Sequence, residues 1–485
     1  MGVPCSNPQS QASFKESELP AFMENNKKLI DEYRVGSCIA YINKLYTVHT
    51  CTHLKTGRIF ALRKHRLNID NSKLLLKELE LYRDLNHPSA IKIMEYFKSE
   101  NSLFIVSEFF EGKNLPAYIL GATKFDELDI IHIVKQLLGL AAYLHKKRII
   151  NRNLTITNVM YDGQLVKVTN FHKATRFKPG QMLSEIVSET PYQAPEMLKK
   201  KYNSKVDIWA IGVITFALLT GDLPFYNPEG KDTENQILTK EITKNSFKDF
   251  NLSENAFDFV RLSLAKNQNK RPSAEQLLDH PWIKGGDVNN SNLKLNLKMV
   301  QNLNSYNFND SFQRAIFLFI VSWAAKDEDK ALALKEFQKL NTSNTGLLTK
   351  EELIAGLQAL PDPISETEAN GMFEMLDWKK TGFVEYHDFL EMYADKRILL
   401  QEDNLLHYFD ILDSNKNGSI MLHDLKKVFG DHVERKSIEK KFNKYAKGNS
   451  IDRSKFIAML KSLKANRRLS SIFSRGKLKT SELFS

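Results

Sequence analysis

Oxygen-bearing side chains recur in this chain at a spacing suited to hard cations. A run from Asp413 places Asp413, Asn415, Asn417, Ser419 and Asp424 at its first, third, fifth, seventh and twelfth positions, with Gly418 sixth and Ile420 eighth. Carboxylate, amide and carbonyl oxygens arranged around a sharp glycine turn form a ligand set for Ca2+ or Mg2+. Aspartate in the twelfth place is short for bidentate capture, which weakens calcium relative to magnesium. Earlier copies start at Asn341 and Asp377, and successive starts are 36 residues apart. The Asn341 run keeps Ser343, Thr345, Gly346 and Glu352 but only one charged ligand. The Asp377 run puts Lys379 at a ligand position and ends on Asp388. A fourth copy near Lys444 has Lys444 and Lys455 first and last, which makes it a structural partner. Metal is therefore expected at the third run, with Asp413, Asn415, Asn417, Ser419 and Asp424 as ligands.

The elements that must position these runs show in the periodicity. Each run follows a helical stretch, and a fixed period of this kind marks repeated helix–loop–helix units. Upstream, residues 33–283 begin with β-rich runs (Ile59–Leu62, Leu103–Val106) and continue with helical patterns (Ile130–Lys146, Asp207–Leu219), in which apolar residues recur at three and four. Strands followed by helices predict a two-lobed α+β domain. Between the two regions lies a connection at 284–330 with eight asparagines from Asn289 to Asn309. There Phe312, Ile316, Phe319 and Trp323 share a helical face. That face suits either the first core helix of the second domain or a segment held in a partner's groove.

Charge and composition narrow the classes. The 485 residues are 42% hydrophobic and 26% charged, ordinary for a globular chain, which excludes wholesale disorder, collagen and coiled-coil rods. No apolar stretch is long enough to span a bilayer, and the first twenty residues lack the pattern of a signal peptide. Three cysteines (Cys5, Cys38, Cys51) cannot build a disulfide framework, so a reducing cytoplasmic setting is expected. The net charge is +11, but residues 461–485 alone contribute seven basic side chains against one acidic. The surplus is largely a property of the tail, and nucleic acid is not an expected partner. At the other end, Gly2 and Ser6 fit the N-myristoylation pattern and Cys5 is placed for palmitoylation. Two acyl signals anchor stably where one does not. With the basic tail, in which Arg467-Arg468-Leu-Ser470 also suits a basophilic kinase, they point to a membrane surface.

Residues 33–283 resemble the eukaryotic protein kinase fold. Glu78 precedes His87-Pro88, and Val106-Ser107-Glu108 looks like the hinge. Ala194-Pro-Glu196, Asp207-Ile-Trp209-Ala-Ile-Gly212, Arg271-Pro272 and His280-Pro-Trp282 follow in order. The resemblance implies structural roles for Glu196, Asp207 and Arg271, with Glu196 and Arg271 pairing to pin the activation segment. It also implies a nucleotide pocket lined by Val48, Ala61, Arg63, Glu108 and Asn158.

The chemical positions depart from that family's pattern. Ala61-Leu-Arg63 stands where Ala-x-Lys would meet the phosphates, and Arg for Lys is not conservative there. Lys64 alternates to the opposite strand face. The three glycine-loop positions are Tyr41, Asn43 and Tyr46, where tyrosines would crowd the phosphate channel. Asn153 replaces the aspartate base, Thr155 the phosphate lysine, and Asn170-Phe-His172 the Asp-Phe-Gly motif. Losing a general base alone costs about 10²–10⁴ in rate. No active catalytic residue is expected; Asn153, Arg63, Glu78, Thr155 and Asn170 are degenerate counterparts, and ATP binding is expected to be weak or absent.

The 413–424 run and its relatives resemble calmodulin-like EF-hands. A kinase-like domain, a junction and four such units together resemble a calcium-dependent protein kinase. The expected architecture is an acylated arm (1–32), a kinase-like domain (33–283), a junction (284–330), an all-α EF-hand domain (331–461) and a basic tail (462–485). The leading expectation is a cytoplasmic, membrane-associated pseudokinase scaffold with unidentified protein partners. The alternatives are an active Ser/Thr kinase with non-standard residues, and an EF-hand sensor that docks through its kinase-like lobe.

Overall fold

The computed structural model describes residues 28–42, 46–67, 75, 77–82, 85–99, 101–121, 125–226, 232–250, 252–286, 311–324, 327–360, 363–391, 393, 399–413, 416–429, 442–446 and 448–462. Expectations on Gly2, Cys5, Asn43, Asn415 and the tail from 463 lie outside these residues.

After a helical turn at Leu29–Glu32 comes an antiparallel sheet: β1 (Tyr33–Ile42), β2 (Tyr46–His53), β3 (Ile59–Arg66), β4 (Ile93–Ser99) and β5 (Ser102–Glu108), in the order β1-β2-β3-β5-β4. The register sets Val48 opposite Arg63 and Thr50 opposite Ala61. Opposed residues share a face, and so do residues two apart. Tyr46, Val48, Ala61, Arg63 and His65 therefore line one side of the sheet. Lys64 lies on the other side, its ammonium 5.8 Å from the Phe104 ring centroid. Helix α1 (residues 77–82) carries Glu78 toward the sheet face that holds Arg63.

The second lobe is helical. Its central helix α2 (Glu127–Lys146) starts at a capping box between Asp126 and Asp129 and buries twelve consecutive or near-consecutive residues from Ile130 to Leu144. Helix α3 (Lys205–Thr220) is buried on every side from Val206 to Leu219 and stops at Gly221 in the left-handed region (φ +85°). Trp209 stacks on Phe225 at 5.2 Å. Two neutralised charges pin this lobe. Arg271 donates to both Glu196 oxygens (2.6 and 3.2 Å) and to the Lys205 and Ala265 carbonyls.

Residues 311–462 build a separate core. Helix α4 (Ser311–Ala324) and helix α5 (Asp327–Leu340) join helices α6 (Lys350–Gln358), α7 (Glu366–Leu376), α8 (Tyr386–Leu390), α9 (Glu402–Leu412), α10 (Leu422–Phe429) and α11 (Arg453–Lys461). Phe312, Ile316, Phe317, Ile320 and Val321 are buried together with Met372, Phe389, Phe442 and Phe456. Among the described residues this core includes Phe312 onward, and the boundary expected at 331 falls inside α5. The reason is that α4 spends its apolar face on these helices rather than on the kinase-like lobe. Short strands clip the loops in pairs: Leu348 opposite Val384, and Ile420 opposite Ile451. Gly346, Gly382 and Gly418 all take positive φ, between +71° and +81°, at the tight turns.

Candidate functional site

The segment Asn151–Asn158 hangs from Asp207. Its carboxylate accepts the backbone N–H groups of Asn151 (3.0 Å) and Arg152 (2.8 Å) and faces His145 Nε2 at 2.8 Å. Helix α3 holds that carboxylate rigidly, so the loop's shape is fixed whatever side chains it carries. Arg152 sits at φ +64°, a strained backbone for arginine. Its guanidinium ties the loop to the following segment through the Lys173 carbonyl (2.7 Å), Glu185 (2.9 Å) and the Tyr202 hydroxyl (3.1 Å).

The side chains on this scaffold are mostly neutral. Asn153 is buried; its N–H donates to Asn151 Oδ1 and its carbonyl accepts Asn158 Nδ2 at 3.1 Å. Thr155 pairs its hydroxyl with Thr157 at 2.8 Å. Asn170 turns Oδ1 toward the His172 backbone N–H (3.0 Å) and the His172 ring, and Nδ2 toward the Tyr46 hydroxyl at 3.4 Å. The oxygen that could face a metal is thus already used by His172.

Across the cleft, Arg63 donates to Glu78 at 2.9 Å, both buried. Burial alone would raise the Glu78 carboxyl; Arg63 beside it outweighs this and holds it below the ordinary range. The Arg63 guanidinium lies between the rings of Tyr46 (5.7 Å) and Tyr82 (5.6 Å). The His65 ring lies tilted against Tyr46, centroids 4.6 Å apart, and burial, reinforced by Arg63, pushes its imidazole down to about 3. Burial likewise pushes His172 down to about 4. Tyr46, the His65 and His172 imidazoles and the Arg63 guanidinium, committed to Glu78, thus gather on this wall.

Val48, Ala61, Arg63 and Glu78 come together on this wall. The Glu108 carboxylate does not join them: it accepts the Lys92 N–H (2.9 Å) and the Lys167 ammonium (2.6 Å). Motif matching overlooks His65, although alternation two residues after Arg63 on β3 was the available signal. Glu185 carried no sequence signal, since its role depends on where the segment folds back on Arg152.

In the second domain the Asp413 run keeps buried carboxylates at both ends, Asp413 at 3% exposure and Asp424 at 0%. Asp413 accepts the Asn417 and Gly418 N–H groups, and Asp424 accepts that of Met421. Asn417 Oδ1 accepts from Ser419. Two buried acids with an amide between them suit a hard cation. Among the described residues no helix is long and apolar enough to cross a membrane.

A five-stranded antiparallel lobe over a helical lobe, with the loop of the cleft hung from a buried aspartate and a Lys-position cation paired to a helix glutamate, defines a protein-kinase-type domain. Residues 44–283 match the family model of the protein kinase domain. The chain is 27% identical over 420 residues to calcium-dependent protein kinase 4 of Plasmodium berghei, covering 81% of this chain and 79% of that protein. It is 28% identical over 375 residues to calcium-dependent protein kinase 14 of Arabidopsis thaliana, covering 74% and 69%. These are likenesses of the chain to a protein kinase domain and to calcium-dependent protein kinases.

Proposed function

We propose that this chain is a pseudokinase: a kinase-like scaffold or allosteric partner in calcium and phosphorylation signalling that does not transfer phosphate. The observation that carries the reading is the cleft itself. Asn153 cannot act as a base, Asn170 offers a neutral oxygen already bound to His172, and Tyr46 lies over Arg63 where phosphates would pass. The carboxylate on this wall, Glu78, is tied to Arg63 and is not available as a substitute base. A nucleotide bound here would rest on Val48 and Ala61, with Asn158 the one metal-ligand position that survives. Loss of a general base costs about 10²–10⁴, and loss of charged metal contacts compounds it without simple additivity.

The helix–loop–helix units at 341–352, 377–388 and 413–424 are EF-hand-like in this reading. Asp413, Asn417 and Asp424 would hold calcium or magnesium, and the ion would neutralise two buried acids. Gly2 and Cys5 are proposed acylation sites that, with the basic tail, place the chain at a cytoplasmic membrane surface. The test is thermal shift and phosphate transfer on the purified full chain with ATP and Mg2+. We expect no transfer and little or no shift; transfer abolished by Asn158→Ala would overturn the reading.

A further inference from the structure

The first two loops hold groups of the chain itself where a divalent cation would sit. In the first, Asn341 Nδ2 lies 3.2 and 3.4 Å from the two Glu352 oxygens, 3.0 Å from the Leu347 carbonyl and 3.3 Å from Ser343 Oγ. These are the first, third, seventh and twelfth positions of the run, the atoms a cation would gather. The orientation of the amide follows from its other end: Oδ1 accepts the Gly346 N–H at 2.8 Å. That N–H needs an oxygen, so the nitrogen must face Glu352. Turning the amide to offer oxygen to a metal would set donor against donor at Gly346.

The second loop uses an ammonium. Lys379 Nζ lies 3.2 Å from Asp388 Oδ2 and 3.6 Å from Glu385 Oε2, and Trp378 Nε1 donates to Asp388 Oδ1 at 3.1 Å. Asp377 accepts the N–H groups of Thr381 (2.8 Å) and Gly382 (2.7 Å) just as Asp413 accepts those of Asn417 and Gly418, so what sets this loop apart is the Lys379 ammonium. Neither loop fits calcium.

The same loops meet the kinase-like lobe. Glu385 pairs with Lys147 and accepts Asn86 Nδ2 at 3.1 Å. The Lys146 ammonium sits 3.3 Å from the Phe383 ring centroid. Leu347 is buried in the lobe's core. The Asn344 carbonyl lies against Gly139 of α2, and Gly346 against His87, each too close to admit a Cβ. On the far side, Arg314 of α4 donates to Glu391 (2.9 and 3.1 Å) and to the Met375 carbonyl.

We propose that this pair of units is a metal-independent clamp: the Asn341 amide and the Lys379 ammonium replace the divalent cation and hold loops 341–352 and 377–388 closed on the kinase-like lobe whether or not calcium is present. The inference rests on the EF-hand-like reading of the units and is indifferent to phosphate transfer.

Hydrogen–deuterium exchange of the full chain, in EGTA and in saturating Ca2+, tests it. Both loops and the Gly139 stretch of α2 should exchange equally slowly in the two conditions. Lys379→Met should speed exchange in loop 377–388 at least tenfold in EGTA. Lys379→Asp should do the same in EGTA and be rescued by Ca2+. Gly139→Val should speed exchange at 341–347 while the 413–424 loop stays as in the wild type, which separates undocking from misfolding. Wild-type loops that slow on adding Ca2+, or a Lys379→Met protein indistinguishable from wild type, overturn the clamp. Should Ca2+ change nothing anywhere, 413–424 included, the sensor role of the third loop fails and the clamp stands.

Discussion

Acidification should destabilise the kinase-like domain through histidines buried in neutral form. His65, His87 and His172 are pushed down to about 3, 3 and 4, burial being the first cause for each. His65 and His87 keep Nε2 without a hydrogen-bond partner among the described residues. In the unfolded chain each imidazole titrates near its ordinary value of about 6.5. The folded values lie lower, so the unfolded state binds protons first as the pH falls. Stability is thus full above about pH 6.5 and is lost on descending toward about pH 4 for His172 and about pH 3 for His65 and His87. At about pH 5.5 each site costs about 1.4 kcal/mol, and the three together about 4 kcal/mol, against a typical total of about 5–15 kcal/mol. Urea unfolding of the full chain, followed by tryptophan fluorescence to which the buried Trp209 and Trp282 of this domain contribute along with Trp323 and Trp378 of the second domain, measures the loss. The wild type should lose about 4 kcal/mol between about pH 7.5 and 5.5, and His65→Phe, which keeps an aromatic ring against Tyr46, should lose about a third less. An identical loss in His65→Phe would show that His65 is not held neutral, and the account of the cleft would fail with it.

Other expectations follow from single contacts. Glu196→Ala strands the Arg271 guanidinium, 1% exposed, and should cost about 3–5 kcal/mol in denaturant unfolding. Leu137→Ala in the centre of α2 should cost about 2–5 kcal/mol by the same measurement. Tyr46→Ala removes the ring over Arg63; if the cleft is plugged as described, any thermal shift with ATP should grow relative to wild type. Asp413→Ala should abolish calcium heat in titration calorimetry of the full chain, whereas Glu352→Gln should leave it unchanged.

Much of this protein was legible in its sequence because the signals are local. The alternation on β3 places Ala61 and Arg63 together, the spacing from Asn341 to Asp413 fixes repeated turns with glycine at positive φ, and the replacement of Asp by Asn at 153 and 170 removes charge wherever the chain goes. What those neutral residues do instead was not legible. Tyr46 meeting Asn170 joins atoms 124 residues apart. Glu385 reaching Asn86 spans 299. The direction of the Glu108 carboxylate likewise depends on Lys167, which arrives from a strand of a different sheet 59 residues along the chain. Lys379 shows the division most clearly. The sequence determined that a metal position carries a positive charge; only the tertiary structure decided that this charge faces Asp388 and Glu385, because the loop turns it inward and burial makes an unpaired acid there too costly to keep.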